Sequence, residues 1–132
     1  ENKLKLTVQK IFQQKGEVFF RKLEENVALE ELKKNNKVIS LGGGAFMNKK
    51  IRSYVVSNTK SFWLNLNTEL LVKRLNNSKK RPLLIDKNIK LTLERIYSER
   101  KNTYSLANYN IDCNNLNTNL IVKKIVKLYE NN

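Results

Sequence analysis

The sequence contains no histidine, one cysteine, one proline and four glycines among its 132 residues. Without histidine, Ser-His-Asp and Cys-His catalysis are excluded, and so is metal binding through imidazole. A single cysteine cannot form an intramolecular disulfide or a cysteine-rich zinc site, which fits a reducing compartment. Any chemistry must therefore depend on arginine, lysine, carboxylates, hydroxyls or backbone amides.

Long apolar runs are missing as well. No run approaches the roughly 20 residues that span a bilayer, and no signal peptide leads the chain. We therefore expect a cytoplasmic protein without a membrane partner.

Acidic residues are scarce, because 26 Lys and Arg stand against 12 Asp and Glu, for a net charge of +14. Such a charge favours nucleic acid, an acidic membrane surface or anionic small substrates as partners. The lysines and asparagines are spread evenly along the chain, which indicates a compositional bias more than a dedicated patch. Nucleic-acid binding stays open as an alternative that charge alone does not favour.

Short apolar runs alternate with helical patterns along the chain. The predicted strands are residues 37–41, 61–66 and 109–113. Helices are predicted to begin after Thr7, at Glu17 beyond a break at Gly16, after Asn48, after Asn67 or Thr68, and after Asn88, with a last helix through Ile121, Ile125 and Leu128. This alternation predicts one α/β domain over residues 1–132, with a parallel sheet covered on both faces.

Three consecutive glycines, Gly42, Gly43 and Gly44, follow the first predicted strand. Without Cβ atoms, their backbone N–H groups can approach a ligand closely, although a tight turn would also use glycine. Ligands of parallel sheets lie beyond the carboxyl ends of the strands, where this segment is predicted to be. No Gly-x-x-x-x-Gly-Lys-Ser/Thr phosphate loop occurs anywhere in the sequence.

Three arginines stand out by their neighbours. Arg21 has Glu24 three residues later, which is either a surface pair or a guanidinium oriented for a carboxylate. Arg100 lies on an otherwise apolar helical stripe, where a cation needs a partner or lines a cleft. Arg81 precedes Pro82 in a polar loop, as either an exposed residue or a lid cation. Residues alone predict an α/β protein with an anion-binding site.

The combined segments resemble the shikimate kinases, a family of P-loop kinases related in fold to nucleoside monophosphate kinases. The matching pieces are residues 20–24 (FRKLE), 39–45 (ISLGGGA), 81–84 (RPLL), and Arg100 with Tyr104. The resemblance implies a three-layer α/β/α parallel sheet and transfer of the γ-phosphate of ATP to the 3-hydroxyl of shikimate. That reaction belongs to chorismate and aromatic amino-acid biosynthesis. Within one domain, it implies substrate-binding helices over residues 1–36, core over 37–75, a lid over 76–88 and a C-terminal core over 89–132.

The resemblance also implies roles for single residues. Arg21 and Arg100 would bind the shikimate carboxylate, and Arg81 would be the catalytic lid arginine that bridges the phosphates. The remaining substrate pocket would comprise Gly42, Gly43, Gly44, Phe12, Phe20, Glu24 and Leu83. Adenine and phosphate contacts would come from Arg74, Arg81, Asp112 and Thr118, although the family often has proline where Thr118 stands.

Parts of the family pattern have no counterpart in this sequence. The phosphate loop, its Mg²⁺-binding Ser or Thr, an Asp at the substrate hydroxyl and the first two strands are expected upstream of Glu1. We therefore expect a fold that is incomplete at its N-terminus, no metal ligand within this chain, and no kinase activity from the chain alone. The complete protein is expected to be a monomer that uses MgATP and shikimate.

Other functions remain open on the residues. Another small-metabolite kinase of the same fold, such as gluconate kinase, is the nearest alternative, although Arg21 and Arg100 at the family spacing argue against it. A basic module that binds nucleic acid would present clustered cations and exposed aromatics, whereas the aromatics here fall mostly on apolar stripes. A pseudo-enzyme is the third possibility.

Overall fold

The computed structural model describes residues 6–76 and 89–131. The chain divides into two compact units, Glu1–Ser57 and Asn58–Asn132, which are described here one at a time. The first contains helices α1 (Val8–Leu32) and α2 (Gly43–Met47), and all but the last residue of α3 (Lys49–Asn58). The second contains strand β1 (Phe62–Asn65), helices α4 (Thr68–Asn76) and α5 (Ile89–Tyr104), strand β2 (Tyr109–Asp112) and helix α6 (Thr118–Glu130).

Helix α1 begins and bends where the sequence predicts. The Thr7 hydroxyl accepts a hydrogen bond from the amide of Lys10 at 3.3 Å, as an N-cap does. Gly16 has φ 76° and ψ 171°, so α1 is two helical segments joined at a kink. Glycine alone adopts this backbone readily, which explains the break. The second segment, which the sequence predicts to begin at Glu17, ends at Leu32.

The predicted strand over residues 37–41 is wrong, because these residues are not in a strand. Val38 is fully exposed there. An apolar run can form a strand only where a neighbouring strand accepts and donates its backbone hydrogen bonds. In the described ranges the sheet has two strands, β1 and β2, and residues 37–41 pair with neither.

Strands β1 and β2 are parallel, and both lie where the sequence predicts strands. Phe62 is in register with Tyr109 and Asn65 with Asp112, and the rings of Phe62 and Tyr109 stack at 4.9 Å. Parallel neighbours need a crossover between them, which α4 and α5 provide. The core of this unit is Leu66, Ile111 and Cys113, surrounded by Phe62, Leu70, Leu71, Leu116, Ile121, Ile125 and Leu128.

The predicted asparagine caps are confirmed in both units. Asn48 Oδ1 accepts from the amides of Lys50 and Ile51 at 2.9 and 3.1 Å, at the start of α3. Asn67 Oδ1 accepts from the amide of Leu70 at 2.9 Å, at the start of α4. The predicted lid over residues 76–88, with Arg81 and Leu83, lies outside the described residues except for the backbone of Asn76.

Candidate functional site

Arg21 lies on α1 between two carboxylates of the same helix. Its Nη1 donates to Glu24 Oε2 at 2.7 Å and its Nε donates to Glu17 Oε1 at 3.3 Å. These neighbours raise the pKa of Arg21, with the hydrogen bond to Glu24 as the largest cause. The Arg21 side chain remains 42% exposed. The guanidinium is thus held in one orientation while part of it faces solvent.

Two phenylalanines lie beside this arginine. The rings of Phe12 and Phe20 are 4.5 Å apart, and Arg21 Cζ lies 5.2 Å from the centroid of Phe20, within cation–π range. Eight residues of a straight helix advance about 12 Å, so these rings would not meet without a bend. The kink at Gly16 therefore brings Phe12 to Phe20.

The triple glycine meets the same arginine. Gly42 caps α2, and Gly43 and Gly44 form its first turn, closed by the amide of Ala45 on Gly42 O at 2.9 Å. A Cβ on Gly44 would lie 2.7 Å from Arg21 Nη1, which is too close. A Cβ on Gly42 would lie 4.0 Å from Glu24 Oε1, which is ordinary contact. The guanidinium of Arg21 can therefore keep its observed position only if residue 44 has no side chain.

Six predicted pocket residues therefore lie together in the first unit: Phe12, Phe20, Arg21, Glu24, Gly42 and Gly44. Sequence reasoning missed Glu17 as the second partner of Arg21, although its spacing of four residues was a usable signal. It also missed the contact between Gly44 and Arg21. That contact joins two elements, and no spacing within the sequence reports it.

Arg100 belongs to the second unit, on α5, where it is half-buried. Its Nη1 lies 3.4 Å from Tyr104 Oη, one helical turn further on. Trp63 of β1 lies beside Tyr104 and Tyr97, with ring centroids 5.9 and 6.4 Å away. The stripe predicted on α5 is thus an aromatic face, formed by Tyr97 and Tyr104, that packs against Trp63 of β1. Arg100 lies on α5 between these two tyrosines.

The predicted nucleotide residues of the second unit lie on three elements: Arg74 on α4, Asp112 at the end of β2, and Thr118 at the start of α6. Asp112 ends β2, is exposed, and accepts a hydrogen bond from the amide of Asn114 at 2.9 Å. Thr118 is the exposed first residue of α6, and the preceding Asn117 is the N-cap. Arg74 is exposed on α4, close enough for its charge to act on Cys113. Burial nevertheless raises the pKa of the Cys113 thiol.

Two further findings concern all the described residues. Within residues 6–76 and 89–131, no group of three His, Cys, Asp or Glu side chains could hold a metal ion. Over the same ranges, no helix is both long and apolar enough to cross a membrane.

Comparison with known proteins gives consistent results. The sequence profile of the shikimate kinase family matches residues 1–130. The shikimate kinase of Bartonella quintana is 31% identical over 131 residues, which are 99% of this chain and 62% of that protein. The shikimate kinase of Mesorhizobium japonicum is 36% identical over 111 residues, 84% of this chain and 55% of that protein. The chain thus spans about three fifths of the length of the curated relatives it matches.

A solved structure agrees with these sequence relatives. The shikimate kinase of Acinetobacter baumannii in complex with shikimate superposes with a TM-score of 0.88 and is 30% identical. The match covers 99% of this chain and 74% of that one. The predicted α/β fold with a parallel sheet, of the P-loop kinase type, is thereby confirmed.

Proposed function

Because the chain belongs to the shikimate kinase family, we propose that its protein transfers the γ-phosphate of ATP to the 3-hydroxyl of shikimate, giving shikimate 3-phosphate. The observation that carries the proposal is the guanidinium of Arg21, fixed by Glu17 and Glu24 against the glycines of α2. A fixed and partly exposed guanidinium suits a planar carboxylate, which shikimate has.

Recognition of the carboxylate falls to Arg21 and Arg100. A guanidinium has five N–H donors, and Arg21 gives two of them to Glu17 and Glu24 within the described residues. Its remaining N–H donors can form a bidentate pair with a carboxylate, one hydrogen bond to each oxygen. Glu24 holds the fork in position, and Phe12 and Phe20 form an apolar wall beside it. Arg100, steadied by Tyr104, is proposed as the second carboxylate ligand.

The triple glycine is proposed as the floor of the substrate pocket. A Cβ at Gly44 would displace Arg21, so the glycine serves the arginine as well as the substrate. We assign the backbone of Gly43, with Gly42 and Gly44, to contact with shikimate. Leu83, outside the described residues, is proposed to complete the wall.

ATP is assigned to the second unit and to the loop outside the described residues. Arg74, Asp112 and Thr118 are proposed to contact adenine, as the family resemblance implies, and all three are exposed. Arg81 is proposed to bridge the phosphates as the catalytic cation. Phosphoryl transfer asks the protein for positioning and positive charge, which a chain without histidine can supply.

Mg²⁺ accompanies ATP in such reactions, and within residues 6–76 and 89–131 no group of three His, Cys, Asp or Glu side chains could hold a metal ion by itself. As the family resemblance implies, we propose that the metal ligands lie outside this chain. A cytoplasmic, monomeric enzyme is proposed with this function.

The test is ADP release by the full-length protein with shikimate or with gluconate as acceptor. We expect turnover with shikimate and none above background with gluconate, as the named relatives favour. The reverse preference would support the alternative of a different small-metabolite kinase. No turnover with either acceptor, combined with structure- or sequence-selective DNA binding, would favour the basic module.

A further inference from the structure

Helix α2 is too short to hold its own position. It has five residues, and two of them are glycines, which cost helix stability relative to alanine. A single helical turn is marginal without tertiary support, because nucleation is unfavourable. Its position beside Arg21 must therefore come from tertiary contacts: Ala45 and Phe46 are buried, and hydrogen bonds hold its C-terminal end.

Asn48 joins three elements at that end. Its backbone amide donates to Ala45 O at 3.1 Å and closes α2. Its Oδ1 caps α3, as described above. Its Nδ2 donates to Glu25 Oε2 of α1 at 2.7 Å, which uses the remaining polar atom of the side chain. One asparagine thus ends α2, begins α3 and ties both to α1.

Glu25 is the carboxylate that receives this tie. Its side chain is only 20% exposed, and its second oxygen accepts from Lys50 Nζ at 2.8 Å. The pKa of Glu25 is lowered, first by the hydrogen bond from Lys50 and then by that from Asn48. Glu25 directly follows Glu24 in sequence, so consecutive carboxylates of α1 hold Arg21 and the far end of α2.

Arg52 of α3 holds the same end through backbone carbonyls. Its Nη1 donates to Phe46 O at 3.1 Å and to Met47 O at 2.9 Å. The last carbonyls of a helix lack partners within the helix, and a guanidinium satisfies them well. Arg52 therefore fixes the C-terminus of α2 to α3.

We propose that Glu25, acting through Asn48, and Arg52 are positioning residues that set the distance between α2 and the guanidinium of Arg21. None of the three is assigned to touch substrate. The inference rests on the proposed function only for its consequence in substrate binding. The position of α2 affects Arg21 directly, because Gly44 of α2 is so close to the guanidinium that a Cβ there would lie 2.7 Å from Nη1. A displacement of about 1 Å in such a site can cost roughly a hundredfold in rate.

The test exploits the shape of the asparagine. Asn48→Asp keeps the cap oxygen of α3 but replaces the donor to Glu25 by a carboxylate oxygen, so two negative groups face each other. Aspartate caps helices as well as asparagine does, so we expect the variant to fold. Combining Asn48→Asp with Glu25→Gln reverses the direction of the hydrogen bond and restores the tie. Glu31→Gln is the matched control, since Glu31 is an α1 carboxylate paired with Lys34 and Lys37.

The first readout is hydrogen exchange at the amides of Ala45 and Asn48, in the full-length protein at pH 8. These amides close α2, so Asn48→Asp should speed their exchange about tenfold. The double variant should return to the parental rate, and Glu31→Gln should keep that rate. Unchanged exchange in Asn48→Asp would overturn the proposal. Arg52→Met, which removes the carbonyl ties, should also speed exchange and provides a second, independent variant.

The second readout is the KM for shikimate against that for ATP. Asn48→Asp should raise the KM for shikimate about tenfold, keep the KM for ATP within about twofold, and recover in the double variant. Faster exchange with an unchanged KM for shikimate would overturn the positioning role. The parent protein could fail to use shikimate while Asn48→Asp still speeds the exchange and the double variant restores it. That outcome would contradict the proposed function but support the positioning of α2 by Glu25, Asn48 and Arg52.

Discussion

At the scale of single residues, Arg21 is held from three sides. Glu17 and Glu24 accept its hydrogen bonds, the ring of Phe20 lies under its guanidinium, and Gly44 leaves room for it. Each contact uses the planar shape of the guanidinium as well as its charge. We therefore expect that a substrate carboxylate at this position requires arginine and not merely a cation.

Replacing Arg21 or Arg100 by lysine tests that requirement. An ammonium cannot form the two-pronged pair with a carboxylate, so we expect a loss of about 2–4 kcal/mol in kcat/KM for shikimate. Steady-state kinetics of the full-length protein measure it. Arg95→Lys is the control, because Arg95 is exposed on the same helix as Arg100. If Arg21→Lys had the same kcat/KM for shikimate as the parent protein, Arg21 would not be a ligand of the substrate carboxylate.

Gly44→Ala should displace the guanidinium of Arg21, because the new Cβ would lie 2.7 Å from Nη1. The side chain can swing away, so the midpoint of thermal unfolding should change little while the Nε–Hε resonance of Arg21 shifts. Gly42→Ala is the matched control, since its Cβ meets Glu24 at 4.0 Å. The same resonance shift in both variants would contradict a specific clash at Gly44.

At the scale of elements, the kink of α1 sets the contact between its two phenylalanines, Phe12 and Phe20. Gly16 bends the helix and lets Phe12 reach Phe20. A Cβ at Gly16 would meet nothing within 4 Å, so backbone strain alone opposes a larger residue.

Gly16→Ala should therefore lower the free energy of unfolding by about 1–3 kcal/mol, the usual cost of a non-glycine residue in such a conformation. Urea unfolding measures it, with Gly42→Ala as a control at ordinary φ (−63°). Equal stability of Gly16→Ala and the parent would mean that the kink is not imposed at Gly16.

The end of α1 carries an ion cluster that gives a pH-dependent prediction. Hydrogen bonds from Lys34 and then Lys37 lower the pKa of Glu31 from 4.5 to about 2. A lowered folded-state pKa stabilises the fold fully above 4.5, and that contribution disappears as the pH falls from 4.5 through about 2. NMR titration of the Glu31 carboxyl should show the low midpoint, and Lys34→Ala should move it upward. A midpoint near 4.5 in the parent would contradict the ion pairs.

Local signals were enough to predict much of the element order. The caps at Asn48 and Asn67 and the break at Gly16 depend on residues within one turn of each other, so the sequence shows them directly. The strand expected over residues 37–41 is wrong because a strand depends on a partner elsewhere in the chain. The pair Arg21–Glu24 was predictable from its spacing, whereas the contacts of Gly44 with Arg21 and of Asn48 with Glu25 join separate elements.

At the scale of the whole molecule, the net charge of +14 is spread over the sequence and partly paired within it. Lys34, Lys37 and Lys50 each pair with a glutamate of α1. Exposed pairs of this kind contribute little to stability but reduce the local positive field. The net charge therefore does not by itself identify a dedicated nucleic-acid surface.

The central claim is phosphorylation of shikimate at its 3-hydroxyl, and identifying the product tests it most directly. The full-length protein is incubated with ATP and shikimate, and ³¹P NMR follows the phosphorus-containing products. We predict a phosphate monoester whose phosphorus couples to the hydrogen on carbon 3, absent when shikimate is omitted and greatly reduced in Arg21→Lys. Release of inorganic phosphate alone, or a monoester formed on gluconate but not on shikimate, would contradict the account.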